Sequence, residues 1–330
     1  MEQGLGGDYK IRKWLCILLA LLVGLAPAAL GEGAIFSYRF ADAGEAAELL
    51  LGNRDYYENL SQNDLNFRMQ KLGATLEELE AFAAGQTLDY TDDEKAAVDD
   101  VMALVEAACL EHGYHLPATD GIVFCKTTTA EECDVGSGYT HGTQVYLGQD
   151  LLDCGVSDDP EDHQLFREVL THELFHCLTR NHPEFRAAMY AILGFTVEES
   201  DYEFAPAIRD AIISNPDVER HNSHAAFDID GEMRECAVVF TTGKPFEKPG
   251  DSFFDGMETG LVPIDDLSTM YTADDAANFW DVFGENTDYV IDPEETLADN
   301  FAFLLTYGLD GLDYETPAII EAIDDCLSKE

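Results

Sequence analysis

The stretch that decides this chain is EDHQLFREVLTHELFHCLTRNH, residues 161–182. Asp159 and Pro160 precede it, an N-cap residue followed by proline at the first helical position, and Glu161 and Asp162 sit where the positive end of a helix dipole favours acids. A helix is therefore expected from Pro160 onward. On it His172 and His176 stand four residues apart and share a face, where two imidazoles can chelate one metal ion. Glu173 lies about 100° around the helix from His172 and can reach a water on that ion. Such a carboxylate takes the water's proton as the water attacks a carbonyl.

Working outward, GIVFCKTTT (121–129) reads as a strand from its β-branched and aromatic content. TQVYLG (143–148) reads as a second, placed after the glycine-rich connection DVGSGYTHG and positioned as an edge strand ahead of the histidine helix. TLEELEAFAAG and DDEKAAVDDVMALVEAACLEHG carry helical spacing, with Val98, Met102, Val105 and Cys109 as an apolar stripe. Beyond the motif, AAFDIDGEMRECAVVF (225–240) reads as a hairpin turning at Asp230 and Gly231. Helical segments begin near Pro183, Pro293 and Thr316, and NPD (215–217) is a chain reversal.

A chain of 330 residues, 46% hydrophobic, can bury a substantial core. Its 66 acidic against 18 basic residues give a formal charge of -48, which repels nucleic acid and anionic membrane surfaces. Residues 1–30 differ from the rest: Lys10, Arg12 and Lys13 precede WLCILLALLVGL, which ends in the small residues Ala26, Pro27 and Ala28. That is the pattern of a secretory signal peptide, with a retained N-terminal anchor facing outside as the alternative. Seven cysteines remain beyond Cys16, so they cannot all pair; a local Cys125–Cys133 bridge and buried thiols are both open.

The sequence HELFH at His172, Glu173 and His176 resembles the zincin metallopeptidases. The resemblance implies one zinc ion at the two histidines, Glu173 as general base, and a peptide or protein substrate lying along the sheet edge that precedes the motif helix. A catalytic site needs a third protein ligand, and three segments offer one. HELFHCLTRNH has the metzincin spacing and would supply His182, with STMYT around Met270 resembling the methionine turn. Thr179, however, stands where those peptidases carry glycine. TVEESDYEF would supply Glu199, as in the thermolysin-like branch. DPEETLADNFAFLL (292–305) is similar to the second helix of gluzincins, which implies Glu295 as zinc ligand and Asp299 as the orienting partner of His172. Glu295 also occupies the third position of a capping box begun by Asp292, whereas Asp299 and Asn300 inside an apolar segment are costly to bury without partners. Gluzincins commonly stabilise the oxyanion with a histidine or tyrosine, and His221, His224, Tyr271 and Tyr289 are available.

The expected fold is α+β, zincin-like and two-lobed: residues 31–182 form an N-terminal lobe with a small sheet and the motif helix, and residues 183–330 form a mainly helical second lobe supplying Glu295. The expected function is that of a secreted zinc peptidase with Glu173 as general base. The alternative is a secreted acidic binding or surface-associated protein with a structural or vestigial zinc site. N-terminal sequencing of exported material is expected to find the mature chain beginning between Ala28 and Glu32.

Overall fold

The structure is a computed structural model that describes residues 35–133 and 138–329. The signal-peptide segment, residues 1–30, lies outside the described residues. Among them no helix is long and apolar enough to cross a membrane. The chain from Ile35 onward forms one compact unit of mixed helix and sheet.

Its first half runs β1 (Phe36–Phe40), α1 (Ala43–Gly52), α2 (Arg54–Asn59), α3 (Gln62–Met69), α4 (Leu76–Ala83), β2 (Thr87–Leu88) and α5 (Asp92–His112). Then come β3 (Thr119–Thr127), β4 (Gly138–His141), β5 (Gln144–Gly148), α6 (Gln149–Gly155) and α7 (Pro160–Asn181), the histidine helix. The second half continues with α8 (Pro183–Ile192), β6 (Thr196–Val197), α9 (Pro206–Arg209), β7 (Ser223–Ile229), β8 (Glu232–Thr242), β9 (Met257–Pro263) and β10 (Tyr271–Thr272). It ends in α10 (Phe279–Phe283), α11 (Pro293–Tyr307) and α12 (Pro317–Leu327).

The first sheet has the order β1-β3-β5-β4, with β2 added antiparallel to the end of β3. β1, β3 and β5 are parallel, and β4 pairs antiparallel to β5. Side chains on these strands alternate between two cores. Ile122, Phe124, Val145 and Leu147 pack toward α5 and α7, while Val123, Cys125 and Tyr146 pack toward α1 and α4. Burial on both faces explains why β3 reads as a nearly continuous apolar run. The strand 143–148 is not the edge expected from its order in sequence. β4 folds back through a turn at Gly142, whose φ of +59° suits glycine, and covers β5, so the edge belongs to β4.

The second sheet, β10-β9-β8-β7-β6, is antiparallel throughout and includes the hairpin turning at Asp230 and Gly231, both at positive φ. Residues 183–330 thus combine five helices with this five-stranded sheet. β9 escaped the sequence reading because METGLVP contains glycine and proline, which argue against a strand. Gly260 is there for space: a Cβ on it would stand 2.7 Å from Met270 Sδ and 2.9 Å from Val239 Cγ2. The largest core passes through both sheets, joining Val105 and Phe124 to Leu174, Phe227, Phe301 and Ile323.

Cys125 is a buried thiol rather than half of a Cys125–Cys133 bridge, and burial pushes it up to about 12. Cys109, Cys177 and Cys236 are likewise buried thiols.

A buried ionic cluster ties the first half to the second. Arg68 donates to Asp64 Oδ1 (2.9 Å), Glu132 Oε2 (2.7 Å) and the Ser214 carbonyl (2.8 Å). Removing the guanidinium leaves two buried acids without a counter-charge. Arg68→Met is expected to lower the unfolding free energy by about 3–5 kcal/mol, measured by urea denaturation.

Candidate metal centre

α7 begins as its sequence demands: Asp159 Oδ1 accepts the Glu161 N–H at 3.0 Å, with Pro160 at the first helical position. From Leu170 to Thr179 every residue is buried, so the helix runs through the interior instead of lying on it. Its polar residues must find partners there. α11 supplies most of them by packing along α7, and Asp292 Oδ1 caps α11 by accepting the Glu294 N–H at 2.9 Å.

Both imidazoles are held from behind by carboxylates of α11. His172 Nδ1 donates to Asp299 Oδ1 at 2.8 Å, and Thr287 Oγ1 donates to the other Asp299 oxygen. His176 Nδ1 donates to Glu294 Oε1 at 3.0 Å, with Tyr190 OH donating to Glu294 Oε2 at 2.7 Å. This leaves the two Nε2 atoms turned toward Glu295. His172 Nε2 lies 3.1 Å from Glu295 Oε2, and His176 Nε2 lies 3.6 Å from the same oxygen. Glu295 Oε1 accepts from Asn215 Nδ2 and, at 3.4 Å, from Tyr289 OH.

Of the three candidate third ligands, only Glu295 comes to the histidines. α7 does not break at Thr179, whose hydroxyl bonds the His176 carbonyl at 3.1 Å and Glu294. His182 is consequently carried past the site to the helix end, where its Nε2 meets Thr119 Oγ1 at 3.0 Å. Glu199 is exposed in a bend, its carbonyl accepting from Arg220 at 2.9 Å. Among the oxyanion candidates, Tyr289 alone faces the centre, its ring stacked 6.3 Å from that of His172. His224 is engaged with Tyr202 OH at 2.7 Å, and His221 packs against Phe204.

Glu173 is buried beside the pair. Thr140 Oγ1 on β4 donates to its Oε2 at 2.7 Å, and a Cβ on Gly138 would stand 3.1 Å from its Oε1. Four residues here were not singled out from sequence as site residues. Glu294 adjoins Glu295 on the next helical face, where nothing local shows that it meets His176. Thr140 lay in a stretch read as a connection. Asn215 and Asp217 belong to the NPD turn, which is a reversal but also delivers both side chains to the centre. A signal was present in that an asparagine and an aspartate flank the proline, but no local pattern says what they face.

The electrostatics are those of crowded acids around two imidazoles. Burial works against the charge on His172, yet Asp299 and Glu295 hold its pKa well above the ordinary value. Burial likewise opposes His176, but the Asp217 charge, the bond to Glu294 and the nearby Glu295 carboxylate raise it to about 10. Glu295 is held below its ordinary value: burial opposes this, and bonds to both histidines outweigh it. Burial, then the charge of Glu173, pushes Asp217 well above the usual carboxylate range. Protons on the imidazoles therefore offset the acids when no other cation does.

The donors fit a divalent metal. His172, His176 and Glu295 offer ligand atoms within 4.8 Å of one another, all buried. His176 Nε2 is a buried nitrogen that finds no hydrogen-bond partner among the described residues. Two imidazole nitrogens plus one carboxylate oxygen, with the imidazoles backed by carboxylates, is a donor set that suits zinc.

Next to this centre a small cavity of about 70 Å³ runs from Gly138, Asn215 and Tyr289 to an apolar wall of Phe240, Phe253 and Ile291. A larger cavity of about 340 Å³ lies on the other side of Asp217 and Glu294, lined by Arg180, Arg186 and Tyr190. Comparison of the chain with protein-family models, with curated proteins and with solved structures returns no match.

Chelator competition for zinc is expected to rank the variants. His172→Ala and His176→Ala should abolish stoichiometric binding, and Glu295→Gln should weaken it strongly. Asp299→Ala should cost about 10- to 100-fold, with Glu294→Ala similar. His182→Ala should change little. Because the ion must displace imidazole protons, which His176 holds up to about pH 10 without metal, affinity should rise with pH until about 10.

Proposed function

We propose that this chain is a zinc-dependent peptidase of the zincin type, with the ligand arrangement of the gluzincins, exported from the cell. One observation carries the reading: His172 Nε2, His176 Nε2 and Glu295 Oε2 converge at one buried point, with Glu173 beside them and facing a sheet edge. The zinc ion, held by those three residues, would supply a Lewis acid for the attacking water and the scissile carbonyl.

The remaining work falls to the chain's own groups. Glu173 takes the proton of the attacking water on a carboxylate oxygen and delivers it to the leaving nitrogen, so that the peptide C–N bond is replaced by a C–O bond. Thr140 fixes one of its oxygens and leaves the other turned toward Gly138. Asp299 and Glu294 hold the two rings in one tautomer and one orientation. Tyr289, a hydroxyl donor at the rim, is placed to stabilise the developing oxyanion. The outward backbone groups of Thr140 on β4 are taken by Asp217 and Arg180, which leaves Gly138 as the place on β4 where a peptide backbone can add.

A binding protein with a structural metal would have no use for a buried carboxylate beside the ligands, and Glu173 favours hydrolysis for that reason. Glu173→Gln is expected to retain zinc and to lower turnover of a denatured protein substrate by at least about 100-fold. Elemental analysis beside an activity assay reads both quantities, and normal turnover in this variant would refute the mechanism.

A further inference from the structure

The metal centre shares part of its boundary with the smaller cavity. Gly138 stands beside Glu173, and Asn215 bonds Glu295. Tyr289 donates to the same Glu295 oxygen at 3.4 Å while its ring stacks on that of His172. A group seated in this cavity is therefore the immediate neighbour of whatever meets Glu173.

The far side is apolar and stiff. Phe240 comes from β8, Phe253 from the turn before β9, and Ile291 from the approach to α11. They belong to a small core separate from the main one, in which the Phe253 ring packs edge-on against Phe67 at 5.9 Å and Phe240 at 6.1 Å. Thr259 Oγ1 donates to the Val290 carbonyl at 3.1 Å and ties β9 to the stretch that carries Ile291. At the mouth Phe254 and Met257 are 45% and 42% exposed, so two large apolar side chains beside the centre are left in water by folding. The charged groups of the lining are already committed. Arg68 turns to Asp64, Glu132 and the Ser214 carbonyl, Glu132 also accepts from Tyr56 OH at 2.7 Å, and Asp217 accepts from the Thr140 N–H. An apolar wall beside a few placed polar groups is the usual make-up of a ligand site.

Size decides what fits. The cavity measures about 70 Å³, roughly half of the ~150 Å³ in which an apolar hole holds benzene. That is room for about three or four carbon atoms and not for a six-membered ring. We propose that this cavity receives the substrate side chain next to the scissile bond and selects valine, leucine or isoleucine there, with Phe240, Phe253 and Ile291 as its wall and Phe254 and Met257 as its mouth. This rests on the peptidase reading above. Burying three or four carbons against a fixed wall favours such a side chain over glycine by about 10- to 100-fold. An acidic side chain would meet Glu132 and Asp217 with Arg68 already spent, and is rejected.

The test digests a mixture of denatured proteins with the zinc-loaded protein and reads the new chain ends by mass spectrometry. Valine, leucine and isoleucine are expected to dominate one of the two positions flanking the cut. Peptides of one sequence that carry glycine, leucine, phenylalanine or aspartate at that position then give kcat/KM, and leucine is expected to exceed each of the others by about 10-fold or more. Phe253→Ala enlarges the hole and should bring phenylalanine level with leucine. Phe254→Ala, at the half-exposed mouth where folding is not at stake, should lower the leucine-to-glycine ratio by about threefold or more. Cuts without preference on either flank, a preference for aromatic or charged residues, an unchanged ratio in Phe254→Ala, or a folded Phe253→Ala that still rejects phenylalanine would each overturn the proposal while leaving a peptidase. Absence of any Glu173-dependent cut would overturn the peptidase reading and this one with it.

Discussion

The packing of α11 along α7 is the contact on which the rest depends. Over residues 170–179, all buried, α7 carries two histidines, a glutamate and two threonines, and four of these five find polar partners there, Thr171 being the exception. α11 answers with three acids on adjacent faces: Asp299 behind His172, Glu294 behind His176, and Glu295 between the two rings. Deep apolar contacts from Leu174 and Phe175 to Leu297 and Phe301 lock the register in which these pairs meet. Polar order at the centre and hydrophobic order around it are the same fact seen at two scales.

Around this pair the molecule supplies a frame and a rim. The first sheet sets β4 against α7, so that Thr140 can fix Glu173. The second sheet, with the segment between Pro206 and Asn222, brings in Asn215 and Asp217. The Arg68 cluster is the rivet between the two. It joins α3 to Glu132 and to Ser214, and thereby sets where the following turn can lie.

What the sequence disclosed follows from the range of the forces involved. α7, its cap at Asp159 and the shared face of His172 and His176 obey rules that act within a few residues, and all were legible. Glu295 and Asp299 came from the resemblance of DPEETLADNFAFLL to the second gluzincin helix, and both lie beside His172. The partner of His176 was not legible, since Glu294 and Glu295 are neighbours and only the approach angle of α7 decides which ring each meets. β5 was placed at the sheet edge because sequence order was read as spatial order, whereas the turn at Gly142 returns the chain to cover it. β9 was missed because Gly260 serves a close contact with Met270 and Val239 that no strand propensity encodes. The hairpin of β7 and β8 was legible, but its extension by β6, β9 and β10 into a five-stranded sheet was not.

Gly138 has a consequence for how such a protein can change over time. At the point nearest Glu173 the edge strand carries no side chain, and a Cβ there would stand 3.1 Å from that carboxylate, so Glu173 would have to give way by a few tenths of an ångström. At this position the strand presents only backbone. On the proposed peptidase reading, discrimination would fall to the half-exposed Phe254 and Met257 and to Phe253, which come from the second sheet and the loop before β9. Reactivity and choice would then sit on different stretches of chain, so that drift in residues 253–257 would redirect what is accepted while α7 and α11 stand still.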